Sequence, residues 1–444
     1  MSAAAPSFRF PPMLEARLPN GLNVIWVPQR EHPAMTVALQ IPAGKFCDSR
    51  EKEGIAELAV ALLQKGPASL STEEFAEKLE HTGASLFSEV GDEHIIIGCQ
   101  TLSRFAGMVV PLFWEMVRDP ALDEQEFGRL RREMTAATQA ELVDPGMLVK
   151  KHFYAELFGA RHPAGRTHTV ASIKRIALQD VRDFCAQSLF PGNSHLVVVG
   201  DFDISAARSS WETLFASWNT AGREAPPMPA PPVRTGRTVV RLVDKPDLSQ
   251  TSLAIGHEAP GELHDDRELT AVANYILGGG NFSSRLMNAI RTQGGKTYGI
   301  SSQIACNNFF GAFMISTATQ NRQAGEVLTT ALSVYREFIE KGVTDEDLAK
   351  AKQFAIGSMA FQLEGIGNIA DKLLWLRLYK RDNAYIEHFD KRIAAITRDD
   401  INRAISRHLR TTGLVISAVG KAAEIRPSLA GHGTIKAFNY RTDP

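Results

Sequence analysis

The stretch LGGGNFSSRLMNAIRTQGGKTYGISSQ, residues 277–303, predicts a glycine turn, a short amphipathic helix and a strand in direct succession. Its three leading glycines allow a tight turn or a close approach of the backbone to a neighbour. Arg291 lies in the last predicted helical turn, and Tyr298 follows a Gly-Gly pair at the start of the predicted strand. A guanidinium and a phenol can both donate hydrogen bonds to oxygen atoms of a ligand. On this stretch alone, the alternative is an arginine favoured by the helix dipole and a tyrosine favoured at a strand end.

The composition is that of a soluble globular protein. Of the 444 residues, 44% are hydrophobic, and 49 basic residues nearly balance 50 acidic ones, so that the net charge is −1. This balance does not indicate nucleic acid as a partner. No apolar run reaches the roughly 18 residues that predict membrane insertion.

Residues 1–12 lack the charged and apolar regions of a signal peptide, which predicts a cytoplasmic location. A periplasmic location is the alternative if a signal peptide was removed before this numbering begins. The four cysteines, Cys47, Cys99, Cys185 and Cys306, lie far apart in apolar surroundings and are expected to be buried thiols.

The hydrophobic patterns predict an α+β fold made of two similar halves. Residues 221–237 contain five prolines and no apolar periodicity, which predicts a linker between the halves 1–220 and 238–444. Matching helix and strand patterns recur in the same order in both halves, for example a helix over 172–188 that leads to a strand over 194–199. Each half is therefore predicted to be an antiparallel-rich sheet with helices packed on it.

A duplicated α+β module carrying this glycine-rich stretch resembles the pitrilysin/insulinase family of zinc metallopeptidases, over nearly the whole chain. That family includes the mitochondrial processing peptidases and the core proteins of the respiratory bc1 complex. The shared signature is a glycine run, Ser-Ser-Arg-Leu, and then an arginine and a tyrosine seven residues apart. The resemblance implies half of a clam-like chamber in which Arg291 and Tyr298 bind substrate. It also implies four supporting residues: Gly278, Gly279, Gly280 and Arg285.

The zinc motif of the active family members, H-x-x-E-H on a helix, is degenerate in this chain. The matching segment is residues 54–66, which contains a predicted helix over 54–64. In it Glu57 replaces the first histidine, Val60 the glutamate and Ala61 the second histidine. The glutamate that serves as the later ligand aligns with Ala137. Valine and alanine have no atom that binds zinc or activates water, so we expect this chain to bind no metal or other cofactor and expect zinc in the partner subunit.

Two other features of the family can be compared. The densest histidine group, His152, His162 and His168, lies across a loop similar to a structural loop of the family. Such spacing is more typical of solvated or capping histidines than of zinc ligands. The Asn-Ala pair of the family's substrate-pairing strand is replaced by Phe87 and Ser88.

The resemblance therefore implies a subunit without catalytic residues, which supplies the substrate-binding part of a heterodimeric zinc metalloendopeptidase. Its partner would be a homologous chain that carries H-x-x-E-H and the zinc, and the two would enclose a peptide. The alternative is a scaffold or assembly subunit, like the bc1 core proteins, with no role in proteolysis. Retention of Arg291 and Tyr298 favours the first interpretation, and the degenerate zinc site equally favours the second. Val60, Ala61 and Ala137 exclude a peptidase active on its own, unless another metal site exists.

Overall fold

A computed structural model describes residues 8–219, 228–231, 236–292 and 294–441 of the chain. These residues form two six-stranded sheets. The strands are β1 Leu14–Arg17, β2 Asn23–Pro28, β3 Ala34–Ile41, β4 Ser85–Val90, β5 Ile95–Leu102, β6 His195–Gly200, β7 Val239–Asp244, β8 Gln250–Pro260, β9 Ile300–Cys306, β10 Phe310–Gln320, β11 Val415–Gly420 and β12 Thr434–Asn439.

The two sheets repeat one topology, which confirms the predicted α+β fold with two similar sheets. Their strand orders are β1-β2-β6-β3-β5-β4 and β12-β7-β11-β8-β10-β9. In each sheet one pair of inner strands, β2 with β6 and β7 with β11, is parallel, and the three pairs that follow are antiparallel. Only the outermost pair differs, because β1 is antiparallel to β2 whereas β12 is parallel to β7.

Helices occupy most of the remaining described chain. Their bounds are α1 Ile55–Leu63, α2 Thr72–Thr82, α3 Ala106–Arg118, α4 Glu124–Glu141, α5 Pro145–Phe158, α6 Val170–Arg175, α7 Leu178–Ser188, α8 Ile204–Ala216, α9 Arg267–Asn274, α10 Arg285–Met287, α11 Ala324–Lys341, α12 Asp345–Phe361, α13 Ile366–Leu378, α14 Ala384–Glu387, α15 Phe389–Ala395, α16 Arg398–His408 and α17 Ala422–Leu429.

The first compact unit consists of residues 8–138, 168–219 and 359–389, and it contains the first sheet. Helix α13, which comes from the second half of the sequence, packs on β3 and β6 of this sheet. Its buried side chains Ile369, Leu373 and Leu376 follow the spacing of one helical face, so burial of apolar area holds it there.

The second unit consists of residues 139–167, 229–358 and 390–441, within the described ranges, and it contains the second sheet. Helix α5, which comes from the first half of the sequence, packs on β8 and β11. Gly256 of β8 leaves the space that α5 needs, because a Cβ there would lie 3.0 Å from the ring of the buried Phe153. The predicted linker at 221–237 falls mostly on residues outside the described ranges, and the division at that linker stays a prediction.

The predicted helix over 172–188 is two helices, α6 and α7, and the single-helix prediction is wrong. Ala177 has an extended backbone, and its N–H donates to Asp180 Oδ2 at 2.8 Å, which starts α7 independently. The same capping interaction occurs in the second half, where α16 begins after Thr397, whose N–H donates to Asp400 Oδ2 at 2.9 Å. A local carboxylate cap competes successfully with continuation of the helix.

All four cysteines are free thiols, but only Cys99 and Cys185 are buried, whereas Cys47 and Cys306 are half-buried. The prediction that all four are buried is therefore wrong for two of them. In the described residues, none of the helices combines the length and the apolar character needed to cross a membrane.

Candidate functional site

Glu57, which replaces the first zinc ligand of the motif, is held in an ion-pair cluster. Lys45 Nζ lies 2.8 Å from its Oε1, and His168 Nδ1 lies 3.0 Å from its Oε2. Burial alone would raise the pKa of Glu57, but hydrogen bonds and charge from His168 and Lys45 lower this pKa to about 2. The carboxylate is thus ionised, and both of its oxygens are already paired.

A second carboxylate, Asp48, fixes the beginning of α1. Its oxygens accept from the backbone N–H of Gly54 at 2.7 Å and of Ala56 at 3.1 Å. Burial raises the pKa of Asp48 to about 7, although these hydrogen bonds oppose the shift. Gly54 itself has a φ of 102°, a left-handed conformation that favours glycine.

The other three positions of the zinc motif carry apolar side chains. Val60 is buried in α1, Ala61 is half-buried on the same helix, and Ala137 is exposed on α4. A peptidase zinc site needs three nitrogen, oxygen or sulfur ligands. This chain offers one carboxylate at those positions, and Lys45 and His168 already contact both of its oxygens. The residues present therefore do not fit the zinc of the peptidase motif.

The edge strand β4 carries Phe87 and Ser88 at the positions where the family resemblance implies an Asn-Ala pair. Phe87 pairs with Gly98 of β5, and its ring lies so close that a Cβ on Gly98 would come within 2.2 Å of Phe87 Cζ. Ser88 is exposed, and its Oγ donates to Gln64 Oε1 at 3.3 Å.

The three clustered histidines each have partners of their own. His152 Nδ1 accepts from Arg241 Nε at 2.8 Å, and burial lowers the pKa of His152 to about 3. His162 Nε2 lies 2.8 Å from the carbonyl oxygen of Pro229. His168 is the partner of Glu57 on α1. These contacts are those of structural side chains and do not form a ligand set.

The segment that carries the arginine and the tyrosine, residues 274–299, is here called the Arg–Tyr segment. It contains two π-helical turns, Tyr275–Gly279 and Asn288–Thr292, separated by the 3₁₀ turn Asn281–Ser283 and the short helix α10. The sequence pattern predicts neither π-turn. Such turns are rare, and they occur frequently at functional sites.

The glycine run is required by lack of space. A Cβ on Gly278 would lie 2.6 Å from the backbone nitrogen of Ser302 on β9, and a Cβ on Gly280 would lie 2.8 Å from the carbonyl oxygen of Tyr275. Asn274 and Ser302 exchange two hydrogen bonds at this contact, at 3.1 and 2.7 Å. Both uses that the sequence allows for the glycines are found, because Gly278 and Gly279 end a π-helical turn and Gly278 lies close to β9.

Arg285 joins α10 to the two helices that follow. Its Nη2 donates to Asp347 Oδ2 at 2.6 Å near the start of α12, and its Cζ lies 5.1 Å from the ring centre of Phe338 on α11. Asp347 also accepts from the backbone N–H of Thr344 at 3.1 Å. Arg285 thus holds the base of the Arg–Tyr segment.

Arg291 lies in the second π-turn and is half-buried. Its guanidinium carbon lies 4.7 Å from the ring centre of Phe282, and that ring is 65% exposed. Within the described ranges, no carboxylate forms an ion pair with Arg291. The guanidinium is therefore positioned by an aromatic ring while its donors remain available to a ligand.

Tyr298 is 88% exposed, and it lies in the loop before β9. The strand begins at Ile300, so the prediction that it starts at Tyr298 is wrong by two residues. Threonine hydroxyls fix this loop to β10: Thr297 Oγ1 donates to the carbonyl of Ala318 at 2.6 Å, Thr317 Oγ1 to that of Gly299 at 2.9 Å and Thr319 Oγ1 to that of Lys296 at 2.5 Å. A large side chain is thus presented to solvent from an anchored backbone.

Sequence reasoning does not single out Phe282 or the threonines. Thr317 and Thr319 lie two positions apart on one face of β10, but threonine is common in strands and the spacing alone indicates no site. Only the fold brings their hydroxyls to the loop of Tyr298.

Two family models match the chain. Residues 24–163 match the insulinase model, peptidase family M16, and residues 175–354 match the model described as the peptidase M16 inactive domain. Together they cover well over half of the sequence. The chain belongs to peptidase family M16.

Relatives of this M16 protein have similar lengths. It is 28% identical over 346 residues to the non-peptidase homolog YmxG of Helicobacter pylori, covering 76% of this chain and 77% of that protein. It is 22% identical over 417 residues to an uncharacterized zinc protease of Rickettsia felis, covering 93% and 97%. A solved structure, the peptidase M16 inactive domain of Pseudomonas fluorescens, superposes with a TM-score of 0.85 at 25% identity and covers 92% of this chain and 98% of that one.

This M16 protein is thus an inactive M16-like homologue of peptidases. The residues at the four zinc-motif positions explain the missing activity. Three are apolar and the fourth, Glu57, is already paired, so that together they cannot hold the metal or activate a water molecule.

Proposed function

We propose that this chain is the non-catalytic, substrate-binding subunit of a heterodimeric zinc metalloendopeptidase that cleaves peptides in an enclosed chamber. The homologous partner subunit would carry H-x-x-E-H and the zinc. The cytoplasm is the proposed compartment, and the periplasm is the alternative.

One observation carries this proposal, namely the exposure of Tyr298 on an anchored loop. A tyrosine that is 88% exposed gains little from burial, yet the hydroxyls of Thr317 and Thr319 on β10 hold the backbone on both sides of it. Ordering a loop costs conformational entropy, and a fixed exposed donor is what ligand binding requires. Arg291 supports the same conclusion, since it has no carboxylate partner among the described residues.

The two side chains would have different tasks. Arg291 would donate from its planar guanidinium to carbonyl or carboxylate oxygens of the peptide before any bond breaks. Tyr298 would donate to the scissile carbonyl oxygen, where negative charge develops during cleavage. Gly278, Gly279, Gly280 and Arg285 would keep the segment in place.

The second candidate is a scaffold or assembly subunit with no role in proteolysis. It is favoured by the cluster at Glu57, where Lys45 and His168 make a former ligand position part of the folded structure. The similarity to a protein named non-peptidase homolog is compatible with both candidates.

Reconstitution tests the proposal. A homologous chain with H-x-x-E-H, sought first in the neighbouring reading frame, is mixed with this chain, and cleavage of a fluorogenic peptide library is followed. We expect little cleavage by either chain alone and strong cleavage by the mixture. Gel filtration establishes that the pair forms.

The double variant Arg291→Ala/Tyr298→Phe separates the two candidates. If the variant assembles with the partner but cleaves poorly, this chain binds substrate. If it assembles and the pair cleaves like the parent pair, the Arg–Tyr segment is structural and the scaffold function replaces the proposal.

A further inference from the structure

A cluster of potential metal ligands lies in the second unit, away from the positions of the degenerate zinc motif. His264, Asp266 and His408 each offer one ligand atom, and these atoms lie within 4.8 Å of one another. His408 Nε2 is 2.7 Å from Asp266 Oδ2, and the two imidazole rings meet edge to face with centres 4.8 Å apart. Two imidazoles and a carboxylate form a ligand set that suits zinc and similar divalent transition metals.

The fold supplies two of the three ligands from fixed positions. His408 is the last residue of α16, and Asp266 immediately precedes α9, which packs against α16. Their side chains are only 11% and 13% exposed. The negative end of the α16 dipole lies at His408, which favours a cation there. His264 is exposed, so that one side of the cluster is open to water and to an entering ion.

Three contacts compete with a metal ion at this cluster, and one of them is the 2.7 Å hydrogen bond between His408 Nε2 and Asp266 Oδ2. The other two involve Arg407 and His264. Arg407 Nη1 lies 2.8 Å from Asp266 Oδ2, and His264 Nδ1 accepts from the backbone N–H of Asp266 at 3.0 Å. Both are exchangeable at small cost, because the Arg407 side chain is 63% exposed and a single neutral hydrogen bond contributes about 1 kcal/mol. Tetrahedral zinc places its ligand atoms about 3.4 Å apart. His408 Nε2 and Asp266 Oδ2, now 2.7 Å apart, must therefore separate, and His264 must move slightly inward.

We propose that His264, Asp266 and His408 form a binding site for one divalent transition-metal ion, which ties the start of α9 to the end of α16. Zinc is the expected ion, with water completing the coordination. The site is independent of the proposed substrate-binding function and of the positions on α1.

Zinc binding by the full chain tests this site. The purified protein is stripped with a chelator and titrated with zinc chloride by calorimetry, with magnesium chloride as a hard-cation control. We expect one zinc per chain, no binding of magnesium, and a higher melting temperature with zinc. Failure to bind zinc overturns the proposal.

Variants locate the ion. His264→Ala and His408→Ala should abolish binding, and Asp266→Asn should weaken it, because a neutral amide oxygen replaces the charged carboxylate ligand. Arg407→Ala should tighten binding, because it removes the competing guanidinium. His81→Ala, a change at an exposed histidine of α2, should leave binding unaltered.

Loss of zinc binding by His264→Ala can be told from misfolding, because His264 is exposed. The metal-free variant and the metal-free parent should have the same melting temperature. Zinc binding that survives in both His264→Ala and His408→Ala contradicts the site, as does binding that His81→Ala removes.

Discussion

In the first unit, Glu57 of α1 is ionised and bound by Lys45 and His168, and the side chains at the other motif positions are apolar. In the second unit, Tyr298 is 88% exposed, and Arg291 has no carboxylate partner within the described ranges. The family resemblance implies that both segments correspond to parts of the site of active members. Both carboxylate oxygens of Glu57 are bound within the chain, whereas the Tyr298 side chain is exposed. The Glu57 contacts are expected to stabilise the fold, and the proposed function assigns an external ligand to the Arg–Tyr segment.

The sharpest test of this difference is removal of the Tyr298 hydroxyl in the reconstituted pair. Tyr298→Phe should lower kcat by about 10²–10³, the usual loss for a single oxyanion donor. Melting temperature and assembly should not change, because the side chain is exposed. Tyr440→Phe, a hydroxyl removal elsewhere in the same unit, should leave kcat unchanged. An equal kcat for Tyr298→Phe and the parent would show that the Tyr298 hydroxyl does not stabilise the transition state.

Arg291→Ala tests the second donor of the Arg–Tyr segment. A hydrogen bond from a charged group contributes about 1.5–3 kcal/mol, so KM should rise about 10–150-fold while kcat changes little. Arg291→Lys should not restore KM if the contact is bidentate. Steady-state kinetics of the pair measures both, with Arg322→Ala, at an exposed arginine outside the Arg–Tyr segment, as control. An unchanged KM would mean that the guanidinium only stacks on Phe282.

Glu57→Gln tests the opposite side of the comparison. The change leaves Lys45 and His168 without an anion, so we expect the free energy of unfolding at pH 7 to fall by about 1–3 kcal/mol. Because the pKa of folded Glu57 lies near 2, below its ordinary 4.5, the stabilisation is present above pH 4.5 and lost as pH falls towards 2. Urea denaturation measures this, with Glu346→Gln in an exposed pair as control. Equal stability of Glu57→Gln and the parent would contradict a stabilising cluster.

Gly278→Ala tests whether the Arg–Tyr segment depends on its close contact with β9. A Cβ would lie 2.6 Å from the nitrogen of Ser302, so we expect a loss of about 1–3 kcal/mol. Gly357→Ala is the matched control, because that exposed position in α12 has open space around it. This variant should gain about 0.4–1 kcal/mol in free energy of unfolding. Thermal unfolding of both variants measures the contrast, and a shift of the same sign for both would refute the packing argument.

Asp48 gives the most specific effect, a change in how stability depends on pH. Its folded-state pKa of about 7 is above the ordinary 3.8, so its contribution to stability is present below pH 3.8 and lost as pH rises to about 7. The slope cannot exceed about 1.4 kcal/mol per pH unit for one proton. Asp48→Asn should therefore flatten the decline of unfolding free energy between pH 5 and pH 7. Parallel curves for variant and parent would show that Asp48 does not titrate there.

The sequence by itself determined the class of the fold and the chemistry missing from it. The spacing of apolar residues and the repeated order of helix and strand patterns predict two α+β halves. The residue types at Glu57, Val60, Ala61 and Ala137 are enough to exclude the peptidase zinc motif. The covalent chain also fixes Arg291 and Tyr298 seven residues apart. These are local properties of residue type and spacing, and a sequence displays them directly.

Only the tertiary structure decided which sheet each helix covers and which donors stay exposed. The apolar faces of α5 and α13 show that each helix must be buried, but not that each packs on a sheet formed by the other half of the sequence. The two π-turns, the ring of Phe282 beneath Arg291, and the threonine hydroxyls that fix the loop of Tyr298 are contacts between residues distant in the chain or departures from a regular helix. Local patterns cannot specify such contacts, because the same residues satisfy several packings equally well until the whole sheet is assembled.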